Sequence, residues 1–240
     1  MAIIVLSEGL WRMSRKITVL VFDVNETLLD IESLNPFFSR LFHDEHAMRE
    51  WFSQLVLYSQ AITLAGCYVS FSELAVGTLR MIGTIRNIQI SEHDSEELKL
   101  GVRNLPAHPE VAGALSRLSE AGFRLVTLTN SPQSPHGNPL ELSGLDRHFE
   151  RMFSVHELHR FKPAPETYRY VAEAMDVELS AMCMVAAHTW DTLGAQALGC
   201  AGALITRPGN APLPVEGVPQ PDIVAGDLEL MADEIIRRWS

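Results

Sequence analysis

The chain has 240 residues with a formal net charge of −11, and 47% of them are hydrophobic and 20% charged. That balance fits a globular protein with room for one large domain or a core carrying a smaller insertion. It argues against nucleic acid or an anionic membrane surface as a partner, because either would need a basic patch and no stretch supplies one.

Residues 1–10 hold a short apolar run broken by Glu8, with basic residues after it rather than before. This is a poor signal peptide and too short to span a membrane. Met13 opens a compact run into the first strand, so residues 1–12 read as an N-terminal appendage or a misplaced start. Ile17 to Phe22 is nearly continuous and rich in β-branched residues, the pattern of a strand buried on both faces of a parallel sheet. It ends at Asp23, followed by Asn25, Glu26 and Thr27. A carboxylate there lies where open α/β sheets place ligands, although Asp is also a favoured helix cap. Helical spacing follows over Leu34 to Phe42, over His46 to Leu64 with Trp51, Leu55, Tyr58 and Ile62 on one stripe, over Phe71 to Ile85 and over Asp94 to Val102. No strand interrupts these helices, so they read as an inserted helical cap. Pro106 and Pro109 mark the return.

Alternation then resumes: a helix from Pro109 to Ala121, a strand from Phe123 to Leu128 opening into Thr129, Asn130 and Ser131, and turn residues from Pro135 to Asn138. A strand at Phe149 to Ser154, a helix at Pro165 to Met175 and a strand at Met182 to Ala187 lead to His188, Thr189, Trp190 and Asp191. A helix at Leu193 to Leu198, strands at Gly202 to Ile205 and Asp222 to Val224, and a last helix complete the chain. Strands alternating with helices imply α/β architecture, a Rossmann-like doubly wound parallel sheet. The expected division is a core of residues 13–32 and 104–240 with a cap of residues 33–103. Cys67, Cys183 and Cys200 are far apart and match no metal-ligand spacing, which reads as reduced thiols of a cytoplasmic protein.

Four polar clusters follow strands or open helices, and a parallel sheet brings such clusters to one edge. Read in order, DVNET, LTNS, FKPAPETY and VAAHTWD resemble the four motifs of the haloacid dehalogenase superfamily. Phosphatases of that superfamily carry a second Asp two positions after the nucleophile and an acidic magnesium ligand early in the fourth motif. Here those places hold Asn25 and Ala187, which can neither relay a proton nor ligate a hard cation. The L-2-haloacid dehalogenase branch is similar over nearly the whole chain from Ile17, including the cap segment WFSQLVLYSQAITLAGCYVSF.

That resemblance implies a metal-independent hydrolase acting on carbon–halide bonds, without a cofactor. Asp23 would displace halide from a 2-haloalkanoic acid, and water would hydrolyse the resulting ester to a 2-hydroxy acid. By the same resemblance Thr27 supports the Asp23 loop, Thr129 offers a hydroxyl to the substrate carboxylate, and Asn130 contacts substrate or leaving halide. Lys162 holds Asp23 ionised, Tyr168 bonds nearby, and Asp191 pairs with Lys162 and helps activate water. The L enantiomer and a homodimer are also implied. Taken singly, Thr129 and Asn130 would be turn residues, Lys162 a solvated lysine and Asp191 a helix cap. Two departures stand out. The family places an arginine after the cap tryptophan where this chain has Phe52, losing a charged donor worth roughly 1.5–3 kcal/mol. His188 replaces an asparagine, and with Arg40 or Arg86 from the cap it is expected to take over the lost cation's work. The alternatives are a magnesium-dependent phosphatase of the same superfamily and a non-catalytic small-acid binding protein.

Overall fold

The computed structural model describes residues 16–132 and 138–240. The appendage expected at residues 1–12 and most of the turn expected at Pro135 to Asn138 therefore lie outside the described residues.

The first strand, β1 (Val19–Phe22), has every side chain fully buried. It is shorter than the apolar run that announces it, which begins at Ile17. Four helices follow without an intervening strand: α1 (Asn35–Phe42), α2 (Ala47–Leu64), α3 (Phe71–Ile85) and α4 (Glu92–Arg103). Capping boxes start the last two, Ser70 with Glu73 and Ser91 with Asp94, which satisfies end amides that a bare terminus would leave unpaired. The buried stripe of α2 runs through Met48, Trp51, Phe52, Leu55, Ser59 and Thr63. Tyr58 departs from the expected stripe and is 39% exposed, since the 3.6-residue period carries the inward face to Ser59.

The rest alternates: α5 (Val111–Glu120), β2 (Arg124–Thr129), a single turn α6 (Pro139–Leu142), β3 (Arg151–Ser154), α7 (Pro165–Met175), β4 (Met182–Ala186), α8 (Thr189–Gln196), β5 (Ala201–Ile205), β6 (Ile223–Ala225) and α9 (Leu228–Trp239). The strands form one parallel sheet in the order β3-β2-β1-β4-β5-β6. Strand order reverses between β1 and β4, which register Phe22 beside Val185. With right-handed crossovers this puts α5 and α9, which pack together, on one face, and α7 and α8, which also pack together, on the other. A sheet covered on both faces explains why its strands are near-continuous apolar runs. The reversal leaves a crevice at the carboxyl ends of β1 and β4. Among the described residues no helix is long and apolar enough to cross a membrane.

Candidate active site

Asp23 leaves the sheet at that crevice, and the chain after it doubles back. The amides of Leu28 and Leu29 both donate to the Val24 carbonyl, at 2.9 and 3.1 Å, and Glu26 adopts a φ of 68° to permit the reversal. A non-glycine residue held in the left-handed region marks a constrained site. The reversal buries Asp23, Glu26 and Thr27 together although all are polar.

Lys162 arrives from the segment before α7 and is fully buried. Its ammonium donates to Asp23 Oδ1 at 2.9 Å, to Asp191 Oδ2 at 2.5 Å and to the Leu128 carbonyl at 2.8 Å, so all three donors are engaged. Thr27 donates its hydroxyl to Asp23 Oδ2 at 2.7 Å and accepts the Ala187 N–H at 2.9 Å, tying the loop after β1 to the end of β4. Tyr168 donates to Asp191 Oδ1 at 2.8 Å. Asp191 is the third residue of α8 and does not cap it; the residue at the cap position is His188.

The His188 ring fills the remaining side. Its Nε2 lies 2.7 Å from Glu26 Oε2 and its Nδ1 3.2 Å from Asp23 Oδ2. The second approach is close but not aligned, and Nδ1 is buried without a hydrogen-bond partner. The ring stacks on Trp190 with centroids 5.0 Å apart, and the Phe52 ring covers it from the cap at 5.5 Å. The second oxygen of Glu26 pairs with Arg49 of α2, which also pairs with Glu32 and donates to the Pro208 carbonyl at 2.9 Å.

These contacts decide the charge of each group. Burial would raise the Asp23 carboxyl, but the Lys162 and His188 cations outweigh it and hold Asp23 well below the usual carboxylate range. Burial likewise works against the charges of Glu26 and Lys162. His188 and Arg49 nevertheless lower Glu26, and Asp191 and Asp23 raise Lys162. Asp191 is pushed up by burial and by Asp23 despite its lysine partner. Burial should depress His188, yet the Asp23 and Glu26 carboxylates beside it win and push it up to about 9. The ring is therefore a cation at neutral pH. Titration of the imidazole followed by NMR should show it losing its proton only as pH rises through about 9, with a lower midpoint in Asp23→Asn.

A cavity of about 380 Å³ opens over this edge, lined by Val24, Asn25, Thr129 and Ser131 from the core and by Trp51 and Phe52 from α2. The expected residues thus fall into two groups. Asp23, Thr27, Lys162, Tyr168, Asp191 and His188 form one connected network. Thr129 and Phe52 face the cavity, and the Thr129 hydroxyl also accepts the Ser131 N–H at 3.1 Å. Asn130 turns its carbonyl oxygen to the Lys162 N–H at 3.0 Å, which fixes the lysine segment.

Arg40 and Arg86 do not reach the site, contrary to expectation. Arg40 pairs with Glu97 at 2.6 Å, and Arg86 with Asp44 at 2.8 Å and with Glu50, all within the helical cap. Of the cap cations, Arg49 reaches the edge, and Lys99 and Arg103 lie on the cavity wall, with the Arg103 Nε buried without a hydrogen-bond partner. Sequence reasoning missed all three, and gave Glu26 no role. Arg49 was findable, since it stands one helical turn before Phe52 and so shares its face of α2.

The haloacid dehalogenase-like hydrolase family model matches residues 17–199. Haloacetate dehalogenase H-2 of Moraxella sp. (strain B) is 27% identical over 199 residues, covering 82% of this chain and 89% of its own. (S)-2-Haloacid dehalogenase 1 of Pseudomonas sp. (strain CBS-3) is 29% identical, covering 78% of this chain and 83% of its own. The solved structure of an L-2-haloacid dehalogenase superposes with a TM-score of 0.84 at 26% identity, over 92% of this chain and 99% of that one.

Proposed function

The chain belongs to the haloacid dehalogenase-like hydrolase family, and on that premise we propose that it hydrolyses small 2-haloalkanoic acids to 2-hydroxy acids through an ester on Asp23. One observation carries the reading. A buried carboxylate is kept ionised by a lysine, beside a histidine nitrogen that has no hydrogen-bond partner, and the residues that follow it, Val24 and Asn25, line a largely apolar cavity. A carboxylate stripped of water is a stronger nucleophile, and the apolar cap keeps competing water away until it is needed.

In this reading Asp23 attacks the halogen-bearing carbon from the floor, the carbon–halogen bond breaks as the new carbon–oxygen bond forms, and halide leaves on the opposite side with inversion. The Arg103 cation and the Thr129 hydroxyl receive the substrate carboxylate. Ester formation removes the Asp23 charge, and with it one of the anions that hold the proton on His188. The ring then releases that proton to solvent and accepts one from water. The hydroxide so formed adds to the Asp23 carbonyl carbon, the 2-hydroxy acid leaves with a proton from the ring, and the new Asp23 carboxyl passes its own proton to the ring, which restores the carboxylate and the imidazolium. Glu26 stabilises the imidazolium on each turn.

Lys162 lies between the Asp23 and Asp191 carboxylates, and the Asn25 amide sits 3.4 Å from the Ser131 hydroxyl with no acid proton to give. Both features disfavour phosphoryl transfer. The reading further takes residues 13–32 and 104–240 as the catalytic core and 33–103 as the cap, and places the enzyme in the cytoplasm as a homodimer.

Halide release from a panel of 2-halocarboxylic acids, with and without EDTA, tests the activity. Release absent for every acid would sink it. The water-activating role has its own test in His188→Ala. Halide should appear in a single burst, turnover should fall by about 10²- to 10⁴-fold, and the ester should be seen on Asp23 by mass spectrometry of the intact protein. A variant that turns over normally would remove His188 from the mechanism.

A further inference from the structure

The Arg49 guanidinium gathers acceptors from three segments of the core side: Glu26 in the loop after β1, Glu32 in the turn that enters the cap, and the Pro208 carbonyl after β5. It belongs to α2, a cap helix, and lies on the same face as Phe52, whose ring covers His188. Gly209 turns the β5 loop beneath it with a φ of 84°, and a side chain there would be strained and would contact the guanidinium. Glu26 is almost fully buried and spends one oxygen on Arg49 and the other on His188. A carboxylate with both oxygens committed cannot rotate, so Arg49 fixes the direction from which Glu26 meets the imidazole.

We propose that Arg49 is a positioning residue for the hydrolytic half of the cycle: it aims Glu26 at His188, so that water is activated only while α2 sits on the core. The proposal rests on the dehalogenase reading above. Displacement of halide uses Asp23 and Lys162, neither of which Arg49 touches, whereas ester hydrolysis uses His188 and through it Glu26. Loss of Arg49 therefore acts on the second step and leaves the first in place. The direction of the pH effect follows from charge. The groups facing Glu26 and His188 are Asp23, with Lys162 and Asp191 behind it, Glu32, Arg49, and His108, whose Nε2 is 3.2 Å from the Glu26 carbonyl and which has Arg207 nearby. Removing one cation from this set lets Glu26 and His188 hold protons more tightly. The neutral ring that hydrolysis requires then forms at higher pH.

The test is rapid-quench halide release from a 2-haloacid, together with the steady-state rate and the mass of the intact protein, for wild type, Arg49→Gln and Arg49→Lys. In Arg49→Gln the burst should keep its wild-type rate while turnover falls roughly ten- to a hundredfold. The ester should accumulate, and the acid limb of kcat should move to higher pH. Lys, which keeps a charge but not the fork, should recover part of the loss. If Arg49→Gln does not fold, the Lys variant carries the test through the same partition between burst and turnover. Burst and turnover falling together, or neither falling, would overturn the proposal. Absence of any halide from the wild type would instead reject the dehalogenase reading itself.

Discussion

Asp23→Asn is expected to abolish halide release, by a factor on the order of 10⁴ or more, because the displacement has no substitute nucleophile. An amide delocalises the lone pair a carboxylate would use, and the carboxylate on the cavity lining, Glu96, comes from α4 on the cap side. Asp191 cannot stand in, since it is completely buried and both of its oxygens are engaged, by Lys162 and Tyr168. The variant should still fold. Lys162 keeps its bonds to Asp191 and to the Leu128 carbonyl, and the amide occupies nearly the same volume. A halide electrode with EDTA present, run beside thermal melts of both proteins, separates lost chemistry from lost structure. Halide released by a folded Asp23→Asn protein at the wild-type rate would exclude the aspartyl ester.

Lys162→Met should cost stability as well as activity, by roughly 3–5 kcal/mol at neutral pH, the usual result of removing one partner from a buried ion pair. Methionine fills the space but leaves two buried carboxylates facing each other. The penalty has a definite pH dependence. In the wild type the Asp23 pKa is depressed, so its contribution is present above the ordinary carboxylate range and is lost as pH falls. In the variant both carboxyls are raised, so the folded state favours their protonated forms and is penalised as pH rises through that range. The difference in melting temperature between the two proteins should therefore shrink as the solution is acidified toward about pH 4. A gap that stays constant with pH would mean that the lysine acts by packing alone.

The sequence carried the sheet and the placement of its polar clusters because both depend on local pattern. Apolar runs of four to six residues announce buried strands, and the residues just after them, Asp23, Thr129 and His188, come to one edge by topology. What pairs with what was not legible. Glu26 meets His188 across 162 positions of chain and Arg49 across 23. No periodicity records such distances. The loss of the family's arginine at Phe52 could be read directly, but the cations at the edge could not, since Arg40, Arg49, Arg86 and Arg103 look alike as letters. Only packing shows that two of them are spent on acidic partners within the cap. Tyr58 went astray for a smaller reason, the choice between a step of three and a step of four along α2.

Ionic strength divides these charges into two populations. At physiological salt, screening acts over about 8 Å of water, and the partly exposed pairs of the cap, Arg40 with Glu97 and Arg80 with Glu92, stand within its reach. Lys162 and Asp191 have no exposed surface and Asp23 almost none, so dissolved ions cannot come between them. Brine would thus loosen the outer surface of the lid while leaving the nucleophile ionised. The ionised nucleophile inherits the tolerance of a dry interior, while the outer ion pairs of the cap feel the composition of the medium.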